Sequence, residues 1–108
     1  MTKDNLLEEA KVQLRRLGIT SFIRYYEVFE EHHNESDNTA IFEAFDKYKE
    51  PWNSNSYNTK ASTGKRIFRS NLESVALEYV AKSANNNRLS QEIVEKANYL
   101  FKNRIKDK

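Results

Sequence analysis

The stretch that most constrains the fold is residues 72–81, which read LESVALEYVA and contain no helix breaker. At about 100° per residue, one side of a helix over this stretch carries Leu72, Val75, Ala76 and Tyr79. Leu77 faces nearly the opposite way. A helix that is apolar on most of its circumference is buried on most of it, usually at the centre of a bundle. We therefore predict an all-α, compact bundle of four to five helices around a buried helix 72–81.

The composition favours long helices and a single domain. The chain has 108 residues with only 2 Gly and 1 Pro, against 18 Lys plus Arg and 16 Asp plus Glu. Turn-rich β architectures use more Gly and Pro than this. The length allows one hydrophobic core, so we expect residues 1–108 to form one helical domain. The core can be closed by bulky aromatic side chains, since the chain has 6 Phe, 6 Tyr and 1 Trp.

No sequence feature points to a membrane or to an oxidising compartment. The chain has no Cys, which excludes disulfides and thiolate metal sites. No apolar run approaches the roughly 20 residues of a membrane span, and the first five residues, MTKDN, lack the apolar segment of a signal peptide. We therefore expect a cytoplasmic protein. The abundance of Asn and Lys suggests an AT-rich coding sequence, as in many low-GC bacteria and their phages.

Apolar spacing and capping residues predict the other helices. The predicted segments are helices over 4–17, 20–33 and 39–49, a polar loop over 52–58, a helix from Thr59 or Ser62, and a last helix from Ser90. Gly18 should end the first helix in left-handed backbone geometry, and Asp37 or Asn38 should cap the third. Residues 70–73 match a capping box, which favours a break or kink before the central helix. The Asn run at 85–87 should end that helix.

Charge is distributed unevenly along the chain. Residues 1–50 hold 7 basic and 11 acidic side chains, net −4, whereas residues 51–108 hold 11 basic and 5 acidic ones, net +6. A negative half and a positive half can attract two different partners, or can orient one partner. Small helical proteins also show such uneven charge by chance. The most polarised stretch is 52–69. It has no acid and four cations, which are Lys60, Lys65, Arg66 and Arg69.

This basic stretch suggests a phosphate site. Residues 62–65, STGK, resemble the tail of a phosphate-binding loop, but Thr59 replaces the leading glycine and no buried strand precedes them, which argues against a P-loop. A looser site stays open, in which Ser62, Thr63 and backbone N–H groups at a helix start bind an anion among the surrounding cations. Sugar-phosphate backbones are bound by such groups. We expect Lys65, Arg66 and Arg69 to be surface positions.

Two aromatic residues lie beside the basic stretch. Trp52 and Tyr57 can stack on bases or on an unpaired strand. Trp52 is equally suited to cap the core, which is the role we favour because tryptophan is mostly buried on average. For Tyr57 we expect the hydroxyl to reach solvent.

The acidic end of the second helix offers metal ligands and carboxylates. His32 and His33 lie among acids, but adjacent histidines on a helix point about 100° apart and no ligand-spaced motif is present. We therefore predict a solvated helix end with no metal. Glu27, Glu30 and Glu31 can supply a carboxylate pair, yet catalytic carboxylates need burial or a close partner to shift their pKa. These three lie on a polar face, so we expect no enzyme activity and no cofactor.

Two non-enzymatic functions remain as hypotheses. The first is a nucleic-acid-binding module whose site comprises Lys60, Ser62, Thr63, Lys65, Arg66, Arg69 and Tyr57. The second is a protein-interaction module, such as a small inhibitor, immunity protein or accessory subunit. Its acidic face would meet a basic protein partner through Glu27, Glu30, Glu31, Glu35 and Asp37. An exposed apolar patch beside the acids favours the second hypothesis, and continuous positive potential over 60–69 and 102–108 favours the first. No small-molecule substrate is inferred.

Overall fold

The fold is all-helical over the part of the chain that the structure describes. The computed structural model describes residues 3–83 and 89–106, apart from the side chains of residues 3, 105 and 106. These ranges hold seven α-helices, a π-helical segment and no strand. The elements are α1 Lys3–Leu17, α2 Ile19–Arg24, α3 Tyr26–His32, α4 Thr39–Lys47, α5 Ser54–Arg69, α6 Glu73–Ser83, α7 Gln91–Leu100 and the π-helical segment Phe101–Lys106. The all-α class is confirmed, whereas four to five helices is too low a count.

The predicted helix over 20–33 is two helices that meet at Tyr25. Tyr25 has φ −106° and ψ 18°, outside helical geometry, and its hydroxyl donates a 2.9 Å hydrogen bond to Glu50 Oε2. Burial and this carboxylate raise the pKa of Tyr25. The change of direction lets α2 pack on α7 while α3 packs on α4 and α5. One straight helix over 20–33 could not pack on both sets of neighbours. The apolar spacing of these residues does not show where the helix changes direction.

Helix α5 begins well before the predicted start at Thr59 or Ser62. Asn53 is its N-cap, since the Asn53 side chain accepts a 2.8 Å hydrogen bond from the Ser56 N–H. The predicted polar loop over 52–58 is therefore wrong from Ser54 onwards. The Asn and Ser residues there are typical of loops, but the same residue types are the preferred N-caps. Residues 62 and 63 consequently lie in mid-helix, where their backbone N–H groups are part of the helical ladder.

The predicted break before residue 72 is confirmed, but its mechanism differs. Helix α5 ends in a Schellman motif: Asn71 has φ 56°, the Leu72 N–H donates to the Ile67 carbonyl at 2.8 Å, and the Asn71 N–H donates to the Phe68 carbonyl at 3.2 Å. Ser70 is the C-cap of α5. It is not the N-cap of α6, which begins at Glu73, so the capping box over 70–73 does not form.

Other predicted helix ends agree with the structure within a few residues. Gly18 follows α1 with φ 93°, and the Ser90 hydroxyl accepts a 3.3 Å hydrogen bond from the Ile93 N–H at the start of α7. At α4 the Thr39 N–H donates to Asp37 Oδ1 at 3.0 Å. Helix α4 ends at Lys47, two residues before the predicted position. The predicted stop at 85–87 lies outside the described residues.

Helix α6 is only partly buried, with Ala76, Leu77 and Val80 as its buried residues, and it is not the axis of the whole bundle. Between Leu72 and Ala81 no residue is fully exposed, and Leu77 is completely buried on the side that the sequence predicts. Val75 and Tyr79, which share the other side of the helix with Leu72 and Ala76, are only half-buried. The main neighbours of α6 are α1, α7 and the π-helical segment, while α3 and α4 pack on α5. The core is therefore organised around both α5 and α6.

Apolar side chains from all seven helices form the core. Aromatic rings are prominent in it: Phe45 makes edge-to-face contacts with Tyr25 and Trp52, with ring centroids 4.9 Å and 5.1 Å apart. The role of Trp52 as a cap on the core is thus confirmed. The Cα radius of gyration is 13.2 Å, which a compact chain of about 100 residues has. No helix in residues 3–83 or 89–106 combines the length and apolar character needed to cross a bilayer.

The burial of Leu77 gives a direct test of the α6 environment. Leu77→Ala should lower the free energy of unfolding by about 2–5 kcal/mol, since it leaves a cavity in the core. Leu77→Asp should prevent folding, because its carboxylate would be buried without a partner. Lys82→Ala is the control on the same helix: Lys82 is exposed and forms a surface ion pair with Glu78, so the change should stay within about 0.5 kcal/mol. Urea denaturation measures all three variants, and a folded Leu77→Asp protein would contradict the packing of α6.

Candidate anion-binding site

One face of α5 and the loop between α3 and α4 form a polar pocket. Residues 62, 65, 66 and 69 are spaced at three and four positions, so they lie in one row along the helix. The loop residues Ser36 and Asn38 form the opposite wall. The pocket has a volume of about 540 Å³ and is lined by Ser36, Asn38, Ser62, Lys65, Arg66 and Arg69. Four of the seven predicted nucleic-acid-binding residues fall near each other here, and three of those four are cations.

Close packing of α3 on α5 at Gly64 brings the two walls of the pocket together. The Phe29 side chain of α3 packs over Gly64, and a Cβ atom added at Gly64 would overlap three carbons of the Phe29 ring. Phe29 is fully buried. Because Gly64 directly precedes Lys65, this close approach places the end of α3 and the following loop beside the basic row of α5.

Lys65 joins α5 to that loop. Its Nζ donates hydrogen bonds to Asn38 Oδ1 at 2.7 Å and to the Asp37 carbonyl at 3.4 Å. The side chain is only 5% exposed, so our expectation of a surface position is wrong for Lys65. The apolar stem runs between the packed helices and the ammonium group ends at the pocket wall, which is how long cationic side chains are usually buried.

The two arginines of the row differ in how they are held. Arg69 donates from Nε to the His33 carbonyl at 2.5 Å and from Nη2 to the Glu35 carbonyl at 3.2 Å. These bonds fix the guanidinium at the loop and leave some of its five N–H groups for other acceptors. Arg66 is exposed, and its guanidinium has no hydrogen bond or ion pair with any residue in 3–83 or 89–106. Arg66 is therefore the cation of the pocket most available to a ligand.

The structure places Lys60 outside this pocket. Its Nζ donates a 2.9 Å hydrogen bond to the Leu17 carbonyl at the end of α1 and lies 4.6 Å from the centre of the Trp52 ring. Burial lowers the pKa of Lys60. This ammonium donates to a carbonyl at a helix C-terminus and contacts an aromatic face. Both contacts stabilise the fold. The continuous positive surface expected over 60–69 is therefore divided between two faces of α5.

Thr63 and Tyr57 also lie away from the pocket lining. Thr63 is buried and its hydroxyl donates to the Thr59 carbonyl at 2.7 Å. The Tyr57 hydroxyl donates to Asp46 Oδ1 at 2.7 Å, a hydrogen bond that raises the pKa of Tyr57 to about 12. The Tyr57 ring packs against Phe45 with centroids 5.2 Å apart. The predicted position of the site at a helix start is therefore wrong, because α5 begins at Ser54. The Thr63 hydroxyl bonds within α5, and the Tyr57 hydroxyl bonds α4.

The predicted acidic face is partly neutralised within the molecule. Glu27 forms a 2.8 Å ion pair with Lys96 of α7, and Glu30 pairs with Arg104 at 3.3 Å. Each pair joins an acid from the first half of the chain to a base from the second. These two ion pairs thus use part of the charge asymmetry seen in the sequence to join α3 to α7 and to the π-helical segment.

The remaining acids of that face surround His32 or the start of α4. Glu35 bonds His32 Nδ1, and Glu31 lies 3.7 Å from His32 Nε2. Asp37 accepts the Thr39 N–H as described above. None of these carboxylates belongs to the lining of the pocket.

The two histidines are half-buried, whereas Glu31 and Glu35 beside them are exposed, so the expected solvated helix end holds for these acids and is wrong for the histidines. The His33 ring stacks on Phe68 with centroids 5.6 Å apart, and His33 Nδ1 is 2.8 Å from the Glu30 carbonyl. His32 is bound to Glu35. Within the described ranges there is no group of three or more His, Cys, Asp or Glu side chains placed to hold a metal ion.

Sequence reasoning missed the loop side of the pocket. Ser36 and Asn38 line it, but they precede Ser62 by more than twenty residues and carry no motif. The sequence feature that points to this wall is the predicted cap of α4, for which we named Asp37 or Asn38. In the structure Asp37 accepts the helix N–H, and the Asn38 side chain is free to bind Lys65 instead.

A comparison with protein-family models finds no match for this chain, and comparisons with curated proteins and with solved structures find none either. The chemistry of the pocket is therefore argued from its own residues. Three cations, two hydroxyls and one amide surround it, and this is a set of donors suited to an oxyanion.

The different burial of the pocket cations leads to a stability test. Lys65→Met keeps most of the apolar stem but removes the donor to Asn38 Oδ1 and the Asp37 carbonyl, so it should cost about 1–3 kcal/mol. Arg66→Gln changes an exposed side chain and should stay within about 0.5 kcal/mol. Urea denaturation of the two variants beside the parent measures this difference. Equal stability of Lys65→Met and the parent would contradict the role of Lys65 as the link between α5 and the loop.

Proposed function

We propose that this protein is a non-enzymatic nucleic-acid-binding module that contacts phosphates through the pocket on α5. The observation that carries the proposal is the convergence of Lys65, Arg66 and Arg69 on one open polar pocket. Guanidinium groups bind phosphate oxygens with two parallel hydrogen bonds, and an ammonium adds a point charge. Most protein–DNA hydrogen bonds go to phosphate and sugar oxygens, and arginine and lysine side chains are common donors in them.

The lining residues suggest a partner recognised by its phosphates and not by its bases. No aromatic side chain lines the pocket, so base stacking is not part of the proposed contact. Arg66 and Arg69 lie in the last turn of α5, where the helix dipole does not favour an anion. Attraction must therefore come from the side chains themselves. We propose binding through charge and hydrogen bonds, without sequence specificity.

The absence of a catalytic function is part of the same proposal. The hydroxyls of Ser36 and Ser62 are the only oxygen nucleophiles among the lining side chains, and neither a histidine nor a carboxylate side chain lines the pocket to act as a base. A serine hydroxyl is weakly nucleophilic without such a neighbour.

The acidic alternative has one observation in its favour. Tyr99 is 62% exposed and lies on α7 three residues after Lys96, which pairs with Glu27. Tyrosine is enriched at protein interfaces. Against this alternative, Glu27 and Glu30 already have cationic partners within the chain. We therefore rank the protein-interaction module second.

The salt dependence of binding tests the leading proposal. Fluorescence anisotropy with labelled duplex and single-stranded oligonucleotides should show affinity that falls steeply between about 50 and 200 mM salt, because bound cations release counterions. Three phosphate contacts on duplex DNA give a log–log slope of about −2.7. An Arg66→Gln, Arg69→Gln double variant should retain a slope of about −0.9 and bind more weakly at every salt concentration.

A matched control removes the same charge elsewhere. Arg15 and Arg16 are exposed on α1 and form no ion pair with a described residue, so Arg15→Gln, Arg16→Gln should keep most of the parent's slope. If the control loses the slope and the α5 variant keeps it, the contact lies on α1. If the parent binds no oligonucleotide at the low-salt end, the nucleic-acid proposal is overturned and the acidic-face alternative becomes the better account.

A further inference from the structure

We infer that the pocket receives the terminal phosphate of a nucleic-acid strand, a phosphomonoester, in preference to the phosphodiesters along the strand. This inference rests on the proposed function and names the part of the nucleic acid that the same site takes. It follows from the shape of the pocket, from its charge and from the way its cations are held.

The shape of the pocket suits a group at the end of a chain. The row from Ser62 to Arg69 extends about 10 Å along one wall, at 1.5 Å per residue, and the loop that carries Ser36 and Asn38 forms the facing wall. A flat basic surface can follow several successive phosphates. A strand end can enter between two walls with its terminal phosphate, whereas a continuous strand would have to leave the pocket in both directions.

The charge of the pocket exceeds what one phosphodiester neutralises. Three cationic side chains line it and no carboxylate does. The nearest acids of the loop face other groups, since Glu35 bonds His32 and Asp37 accepts the Thr39 N–H. A phosphodiester carries one negative charge, whereas a phosphomonoester carries about 1.5 to 2 at pH 7 and has three terminal oxygens. The end group therefore matches the site in charge and in number of acceptors.

Two of the three cations are fixed before any ligand binds, which favours a compact anion. Lys65 is held by Asn38 and Asp37, and Arg69 is held by two backbone carbonyls. Groups held in this way lose little conformational entropy on binding. Both retain unused N–H donors. Arg66 is the mobile partner in this arrangement: it can close over the phosphate with a two-bond contact, while Ser36 and Ser62 supply hydroxyl donors from the two walls.

The test compares oligonucleotides that differ only at their ends. Single strands of about 12 nucleotides, labelled with fluorescein at the opposite end, carry either a phosphate or a hydroxyl at the 5′ end; a second pair varies the 3′ end in the same way. At a fixed salt concentration we expect at least one phosphorylated end to bind about tenfold tighter than its hydroxyl counterpart, the gain from one added charge-assisted hydrogen bond. Arg66→Gln, Arg69→Gln should remove this preference, and Arg15→Gln, Arg16→Gln should preserve it.

Each other outcome overturns a distinct statement. Equal binding of phosphate and hydroxyl ends overturns this inference and leaves the proposed function standing. A preference for phosphate ends that survives in Arg66→Gln, Arg69→Gln places the end contact outside the pocket and overturns the assignment. Inorganic phosphate or a 5′-mononucleotide that competes as strongly as the 5′-phosphorylated strand would show that the ligand is a small phosphate compound. Failure of every oligonucleotide to bind overturns both proposals together.

Discussion

The close approach of Phe29 to the backbone of α5 at Gly64 is the contact on which the rest of the site depends. An alanine in mid-helix is normally more stable than a glycine by about 0.5–1 kcal/mol, so Gly64 is costly to the helix by itself. The missing Cβ lets the Phe29 ring lie directly on α5. That contact brings the loop after α3 within reach of Lys65 and Arg69, whose hydrogen bonds then secure the two-walled pocket.

The charges of this chain mostly act within the molecule, although the sequence suggests surfaces for two partners. Lys60 satisfies the end of α1, Lys65 and Arg69 bind the loop, and Lys96 and Arg104 pair with the acids of α3. On α5, what remains is Arg66, with the unused donors of Lys65 and Arg69, around a pocket whose lining has no carboxylate. A run of basic residues in a sequence is thus a poor measure of accessible positive charge, because each side chain must first be placed on a face of its helix.

The sequence predicts the local features of this fold better than the contacts between distant segments. Helical periodicity, Gly18, Ser90 and the break near Ser70 each depend on a few neighbouring residues, and the structure agrees with them. The start of α5 was missed because Asn53 is one capping residue among several similar loop-forming ones. The break at Tyr25 depends on packing against α4, α5 and α7. The pocket depends on residues 29, 36 and 38 meeting 62–69, and no local pattern encodes that meeting. Hence the basic row was predictable, while its opposite wall was not.

A double-mutant cycle between Gly64 and Phe29 tests this account most directly. With Phe29 present, Gly64→Ala should lower the free energy of unfolding by about 1–3 kcal/mol, because the new methyl group overlaps the ring. In a Phe29→Val background, which removes all three overlapping ring carbons, the same change should be neutral or stabilising by up to about 1 kcal/mol, since alanine then contributes its helix propensity without the overlap. Urea denaturation of the four proteins gives the coupling energy. If Gly64→Ala has the same effect in both backgrounds, Phe29 and Gly64 are not in close contact, and the origin assigned to the pocket is wrong.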